Sequence, residues 1–469
     1  MNRVKLFVEN FYLFGVINML HKVIPFLILP VLTLLLPDIS DFGVFDMFNV
    51  VSSIVCLFAM LGLYNAVFRE YFEREDQIYR HNVTSTAYHL VSYSSVAFCI
   101  LIFIFQGYLR RFFPENINIT HITLLLVSLI FTSVNLEYFR LLARVLNQRK
   151  VILISGLMTA GLDKVVAIIL ILFGYRYYGL IYGLLISNII TMVYFWSVNS
   201  KNIICGRFDK HIAKSLLKLG LPLLPVTLFV TLNFSVNRFF ILRYLDFDAI
   251  GVYSIGARVA MISNFIYLAF HMGWGYFTFS TMKDDDFKEM MSKLFSLLFA
   301  GCTAFYVGIF LFKDIIFNYL FTGKYSLGVS VFPFLLFIPL LQIFILVLEF
   351  QLLAKKKPYY SPFIHGTGFV VNIVLCMILI PRFGIIGAAL ATLSGFTIIF
   401  LLFLILVVII KKHIVVSINT WLILVLFVVL FFIINYIGLN MYSIALILSY
   451  LSIITLLYHK QVIYFWKKM

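Results

Sequence analysis

Four cationic side chains of this chain fall inside long apolar runs: Lys22, Lys164, Arg238 and Arg258. On insertion scales a charge at the centre of a membrane helix costs about 2.5–3.5 kcal/mol, so such a residue pairs with another charge, faces water or holds a ligand. Lys22 lies near the middle of the first run, too deep for a lysine stem to carry its ammonium to either surface. Asn18 and His21 stand close to it, and Pro25 and Pro30 follow. Prolines free backbone groups, which fits a bent helix beside a wet cavity. Arg258 lies well inside a later run, in DAIGVYSIGARVA. Arg238 lies near the end of the run before it, in NFSVNRFF, close enough to a surface to snorkel. No carboxylate is expected at mid-depth opposite these cations, because Asp46 falls only two residues into its own run. A positive interior attracts an anion. An exporter of organic cations would more naturally present buried Asp or Glu.

The remaining intramembrane charges read as charge pairs or gates. Asp163 and Lys164 are adjacent, and neighbours in sequence point about 100° apart on a helix, so each is expected to need its own partner. Glu137 and Glu349 lie a turn or so from the ends of their runs, within reach of Arg140 and of Lys355, Lys356 and Lys357 respectively. The mixed-charge stretch from Arg69 to Asp76 reads as solvated surface.

The elements that must position these residues are membrane helices. Of 469 residues, 63% are hydrophobic and 12% charged, against about half and a quarter in soluble chains. Apolar runs of about 20 residues recur along the whole length and are continuous rather than alternating. The chain is therefore an all-α integral membrane protein and not a β-barrel. About fourteen transmembrane helices are expected, at 11–35, 44–65, 83–106, 121–142, 150–173, 177–198, 217–241, 249–274, 291–312, 329–353, 360–380, 384–410, 416–437 and 440–458. The first run is too long for a signal peptide, and no small-residue cleavage site follows it. With both termini cytoplasmic, the connections on that side carry 25 Lys and Arg and those on the far side 7. That bias sets the orientation and requires an even number of spans.

The chain also repeats itself. At an offset of 208 residues, Phe42-Gly43-Val44-Phe45 meets Ile250-Gly251-Val252-Tyr253, Asn147-Gln148-Arg149-Lys150 meets Lys355-Lys356-Lys357-Pro358, and Gly179 meets Gly387. Two parallel six-helix halves follow, 1–204 and 205–412, related by a pseudo-two-fold along the membrane normal. Residues 413–469 form two additional transmembrane helices and a basic tail.

Several chemistries are excluded by the same residues. The formal charge of +16 sits in short connections between spans, not on a nucleic-acid-binding face. Cys56, Cys99, Cys205, Cys302 and Cys376 are widely spaced, so no disulfide framework or metal site is legible. No HExxH, CxxC or GxxxxGK[ST] occurs. The expectation is a protein that is not an enzyme and carries no metal and no cofactor. No loop is long enough to house a nucleotide-binding fold. Energy for transport then comes from an ion gradient, the membrane potential or a reaction that consumes the product.

A proline-broken first span followed by LLLPDISDFGVF, then GLYNAVFREYF, KLGLPLLPVTLFVTLNFSVNRFFI, DAIGVYSIGARVA and PRFGIIGAALATLSG, resembles the polysaccharide-unit flippases. These are the O-antigen and capsule repeat-unit translocases of the multidrug/oligosaccharidyl-lipid/polysaccharide exporter superfamily. The resemblance covers the chain through residue 411. It implies two pseudo-symmetric six-helix lobes around a central cavity plus two extra C-terminal helices, working by alternating access. The implied substrate is an undecaprenyl-diphosphate-linked oligosaccharide, moved from the cytoplasmic to the outer leaflet for surface polysaccharide synthesis. On that reading Lys22 and Arg258 stabilise the diphosphate, with Arg238 in the same binding set. Asn49, Asn233, Tyr64 and Tyr253 contact sugar. The family often carries an acidic residue just before the arginine of NFSVNRFF, where this chain has Asn237. Implied partners are the lipid-linked oligosaccharide, the lipid bilayer, and a polysaccharide polymerase with other assembly proteins; nucleic acid is not among them. The implied location is the bacterial cytoplasmic (inner) membrane. A lipid II flippase of the same superfamily and a cation-coupled drug or organic-cation exporter are the alternative readings.

Overall fold

The computed structural model describes residues 23–36, 38–282, 287–355, 357, 359–410, 414 and 416–468, which are almost wholly helical. A helix satisfies its backbone N–H and C=O groups internally, which lipid cannot do for it. Short polar residues mark where helices begin. Asp38, Asp76, Asn118, Asp209 and Ser417 each turn a side-chain oxygen onto N–H groups of the first turn.

Among the described residues, twelve helices are long and apolar enough to cross a membrane. One of them, Tyr360–Ile410, has 51 residues, about 77 Å at the helical rise and more than twice the hydrocarbon thickness of about 30 Å. It folds at Gly384, whose φ of 57° and ψ of −137° are open in practice to glycine alone. It is therefore two spans. The helices so divided coincide with the expected runs from 44–65 through 440–458. The run at 11–35 enters the description only as Val23–Leu35.

Two boundaries move. The second span starts at Ile39, because Asp38 caps it and Ile39-Ser40-Asp41 forms its first turn. Residues 217–223 lie outside the seventh span. Lys210–Gly220 is an amphipathic helix of its own, packed on Leu63–Tyr71, and the span is Leu224–Tyr244.

The chain packs as two units. One holds the described residues through Ser254 together with Gly323–Tyr325 and Cys376–Ala388. Its centre is Ile119–Val145, whose Leu126, Leu129, Ile130, Tyr138 and Phe139 are buried beside Gln77–Ile104, Arg176–Ile204 and Ile39–Ala59. Tyr138 keeps its buried hydroxyl satisfied by donating to the Thr84 carbonyl at 2.5 Å. The second unit holds Ile255–Thr322, Ser326–Leu375 and the residues from Ala389 onward. Its centre is Phe332–Ala354, a helix buried along most of its length, packed against Asn264–Thr281 and Phe287–Leu311.

The 208-residue offset reappears as contact geometry. A Cβ on Gly179 would lie 2.9 Å from the Ile171 side chain, and one on Gly387 2.3 Å from the Leu379 carbonyl. Ile171 and Leu379 are themselves one offset apart, so both helical hairpins close on the same positions. At the third landmark the match is one residue longer. The turn-closing bonds Leu146 N to Leu142 O and Gln148 N to Ala143 O have their equivalents in Lys355 N to Gln351 O and Lys357 N to Leu352 O.

Candidate functional site

Ile39–Ala59 and Phe247–Ala260 are the two copies of the turnover motif. Each begins on an aspartate: Asp38 accepts from Ser40 N at 3.1 Å and Asp246 from Ala249 N at 2.8 Å. One turn further the helices touch backbone to backbone. A Cβ on Gly43 would lie 2.0 Å from the Phe247 carbonyl oxygen, and one on Gly251 2.3 Å from that of Ile39. Ile39 and Phe247 are also one offset apart, so the contact is reciprocal. Reciprocity of this kind is the mark of a local two-fold, and small residues are what permit so close an approach.

The next turn carries charge. Ser254 donates to Asp46 Oδ2 at 2.5 Å. Arg238, from Leu224–Tyr244, donates from Nε to the same oxygen at 3.1 Å. A terminal guanidinium nitrogen reaches the Phe234 carbonyl and, at 3.1 Å, Asn237 Oδ1. The guanidinium carbon stands 4.9 Å from the centroid of the Tyr253 ring, and Asn237 donates to the Tyr253 hydroxyl. Asp46 is 7% exposed, and Asn237, Tyr253 and Ser254 are buried. An ion pair this dry is held by its surrounding hydrogen bonds, and removing one partner costs about 3–5 kcal/mol.

This cluster corrects two expectations. Asp46 stands two turns inside its helix, about 10 Å from the start, because the helix begins at Ile39. Arg238 turns inward to it instead of snorkelling. The acid that Asn237 lacks is supplied from another helix, and the positive charge at this place is matched by a carboxylate.

The capped ends of the motif are tied as well. Arg176 donates from Nε to Asp41 Oδ2 at 2.9 Å and from a terminal nitrogen to Asp38. Lys324 pairs with Asp248 at 2.9 Å, and Tyr325 donates to the Leu36 carbonyl. The Ser40 hydroxyl, and then Arg176, hold the Asp38 carboxyl below the usual carboxylate value.

Lys22 lies outside the described residues. Arg258 is half-buried, one turn beyond Ser254 on the same helix. Asn49 is half-buried and donates to the Phe45 carbonyl of its own helix at 3.0 Å. Asn233 is buried, one turn before Asn237. Tyr64 accepts from Arg144. Glu137 pairs with Arg140 at 2.6 Å.

Asp163 and Lys164 bridge each other at 2.9 Å, both buried, where separate partners were expected. They follow a π-helical turn, Met158–Leu162, and a lysine stem is long enough to fold back on its neighbour. Glu349 faces His365 of the following span at 3.8 Å. Nothing in the sequence distinguished His365 from the other histidines, because its partner lies on a different helix.

The matched region of the chain settles its kinship. Residues 31–326 fit the sequence model of the family described as polysaccharide biosynthesis protein. The chain belongs to that family. The region contains both copies of the turnover motif and Arg238. A search of curated proteins finds no match to the chain. Among solved structures, it is similar to the lipid II flippase MurJ in an inward closed conformation, at 17% identity and a TM-score of 0.73, over 96% of this chain and 100% of that one. It is similar to an inward-facing MATE-family multidrug resistance transporter of the MOP superfamily, at 18% identity and a TM-score of 0.64, over 85% and 96%. A third is a MOP superfamily transporter from Pyrococcus furiosus, described by the reverse polarity of its binding pocket, at 15% identity and a TM-score of 0.60, over 86% and 96%. At these identities the likeness is one of fold: the family member is built like MurJ and the MATE transporters.

Proposed function

We propose that the chain is a flippase that carries an undecaprenyl-diphosphate-linked oligosaccharide repeat unit from the cytoplasmic to the outer leaflet by alternating access. The single observation that carries this reading is the match of residues 31–326 to a polysaccharide biosynthesis family in a chain with a transporter fold. Membrane transport of a polysaccharide precursor is the function that joins the two.

In this proposal the repeat halves 1–204 and 205–412 act as the two moving lobes, followed by the two helices of 413–469. Both termini are cytoplasmic, and the membrane is the bacterial cytoplasmic membrane. Lys22 and Arg258 hold the diphosphate, because an anion stabilises cations placed within membrane spans. Asn49, Asn233, Tyr64 and Tyr253 serve the sugar, and polymerase and assembly proteins receive the product. Arg238 is closed onto Asp46, Phe234 and Asn237, so it reaches substrate only when that pair opens.

The test is polymer display in cells that need this polysaccharide. Lys22→Ala and Arg258→Ala should each abolish polymer while protein levels hold. Full polymer from both variants would overturn the assignment. A second reading is favoured by the 0.73 TM-score match to a protein named as a lipid II flippase. Rescue of cells depleted of MurJ would select it.

A further inference from the structure

Glu349 of Phe332–Ala354 lies 3.8 Å from His365 Nε2 of the following span. The distance suits an ion pair and is too long for a hydrogen bond. The His365 side chain is 6% exposed, and neither of its ring nitrogens has a hydrogen-bond partner among the described residues. The Ser361 hydroxyl, one turn earlier on the same helix, is likewise buried, beside the Glu349 carboxylate. From Asn264–Thr281, Tyr267 and His271 lie within the electrostatic reach of Glu349. Trp274 Nε1 and Thr278 Oγ1 continue the stripe of Tyr267 and His271 along that helix, and both are buried without a partner among the described residues. Three helices of the second unit thus bring polar groups toward Glu349, with His365 buried, Glu349 and Tyr267 half-buried and His271 exposed.

Such an arrangement is costly as pure structure. A buried polar atom left without a hydrogen bond costs about 1–3 kcal/mol, and ionisable groups within spans mark ion paths and proton relays. Imidazole is the side chain that gains and loses a proton near neutral pH. The other charged groups nearby lie at helix ends. Lys355 and Lys357 follow Glu349, and at the start of Phe287–Leu311 Lys288 precedes Glu289 and Lys293, which pair with each other at 2.6 Å. They leave the imidazoles as the groups able to change charge beside the carboxylate.

We propose that Glu349, His365 and His271 form a proton-binding site, and that its ligand, the proton, is the ion coupled to transport. A proton taken from water adds to the free ring nitrogen of an imidazole and makes an imidazolium paired with the Glu349 carboxylate. Its release to water on the other side restores the neutral ring. One proton enters and one leaves, and no bond between heavy atoms changes. The coupling half of this proposal rests on the flippase reading; the binding half does not.

Two measurements on the full chain test it. The first follows ¹⁵N-histidine ring signals in nanodiscs as pH is varied, with His365→Gln used to assign the resonance. The His365 signal should respond to pH in the wild type and respond differently in Glu349→Gln. A signal that does not titrate, or that is indifferent to Glu349→Gln, overturns the site. The second uses inverted vesicles holding sugar-labelled lipid-linked oligosaccharide from the host. A gradient of one pH unit should shift its distribution between leaflets about tenfold for one coupled proton, and not at all in Glu349→Gln or His365→Gln. Equal gradient dependence in wild type and variants overturns the coupling. No movement in wild type overturns the flippase reading while the titration still decides the site.

Discussion

Asp46 and Ser254 are hydrogen-bonded at 2.5 Å and occupy the same position in the two copies of one motif, 208 residues apart. The contact joins a carboxylate in the first copy to a hydroxyl in the second. The backbone crossing beside it is symmetric, through Gly43 and Gly251, and the chemistry laid on that crossing is not. Arg238 completes the asymmetry by pairing with the one carboxylate of the two.

The crossing should tolerate no side chain at either glycine. Gly43→Ala and Gly251→Ala each place a methyl against a carbonyl of the facing helix. Overpacking of this kind costs about 1–3 kcal/mol. Thermal unfolding in detergent should show both variants destabilised, and to a similar degree because the contact is reciprocal. A wild-type melting temperature for either one would refute the backbone-tight crossing.

The Asp46–Arg238 pair should behave as a unit. Asp46→Ala and Arg238→Ala should each cost about 3–5 kcal/mol, because each strands a buried charge. The double variant should cost less than the sum by about 0.5–3 kcal/mol. A double-mutant cycle in denaturant would measure this coupling, and strict additivity would contradict the pair.

The Asp38 cap gives the protein an acid-side dependence. The Ser40 hydroxyl and Arg176 hold its folded-state value below the ordinary 3.8. Its contribution is therefore fully present above that value and is lost as pH falls through the folded-state value. Asp38→Ala should destabilise by about 0.5–2 kcal/mol near neutral pH, the usual effect of losing an N-cap. The gap to wild type should narrow as pH falls below the ordinary 3.8, as melting temperatures on the acid side would show. A gap constant with pH would mean that the carboxylate charge is not involved.

Gly384 should resist substitution for a different reason. A Cβ there would meet only the end of Leu245, at 4.0 Å, so space is available. The cost lies in the backbone, whose φ of 57° and ψ of −137° strain any other residue by about 1–3 kcal/mol. Gly384→Ala should lower the melting temperature, whereas Gly301→Ala, in open space on a regular helix, should not.

Hydropathy made the spans legible, because a helix in lipid must be predominantly apolar and the few charges inside these spans do not break up the runs. The repeat was legible because glycines mark close contacts that other residues cannot replace. What escaped was pairing across helices. Arg238 and Asp46 are 192 residues apart, and Asp46 read as a helix end only because the capped turn at Ile39-Ser40-Asp41 reads as a polar connection. His365 and Glu349 sit in consecutive spans, but their meeting depends on how those helices rotate, which hydropathy does not specify. Asp163 and Lys164 meet through the reach of the lysine stem, beyond what ideal helix geometry suggested.

The flippase assignment is tested most directly by asking which leaflet holds the lipid-linked oligosaccharide. In cells lacking the chain, sugar-labelled precursor should accumulate out of reach of a membrane-impermeant reagent added outside. Restoring the wild-type chain should expose it, and Arg258→Ala should leave it hidden. Precursor equally exposed with and without the chain would contradict the assignment.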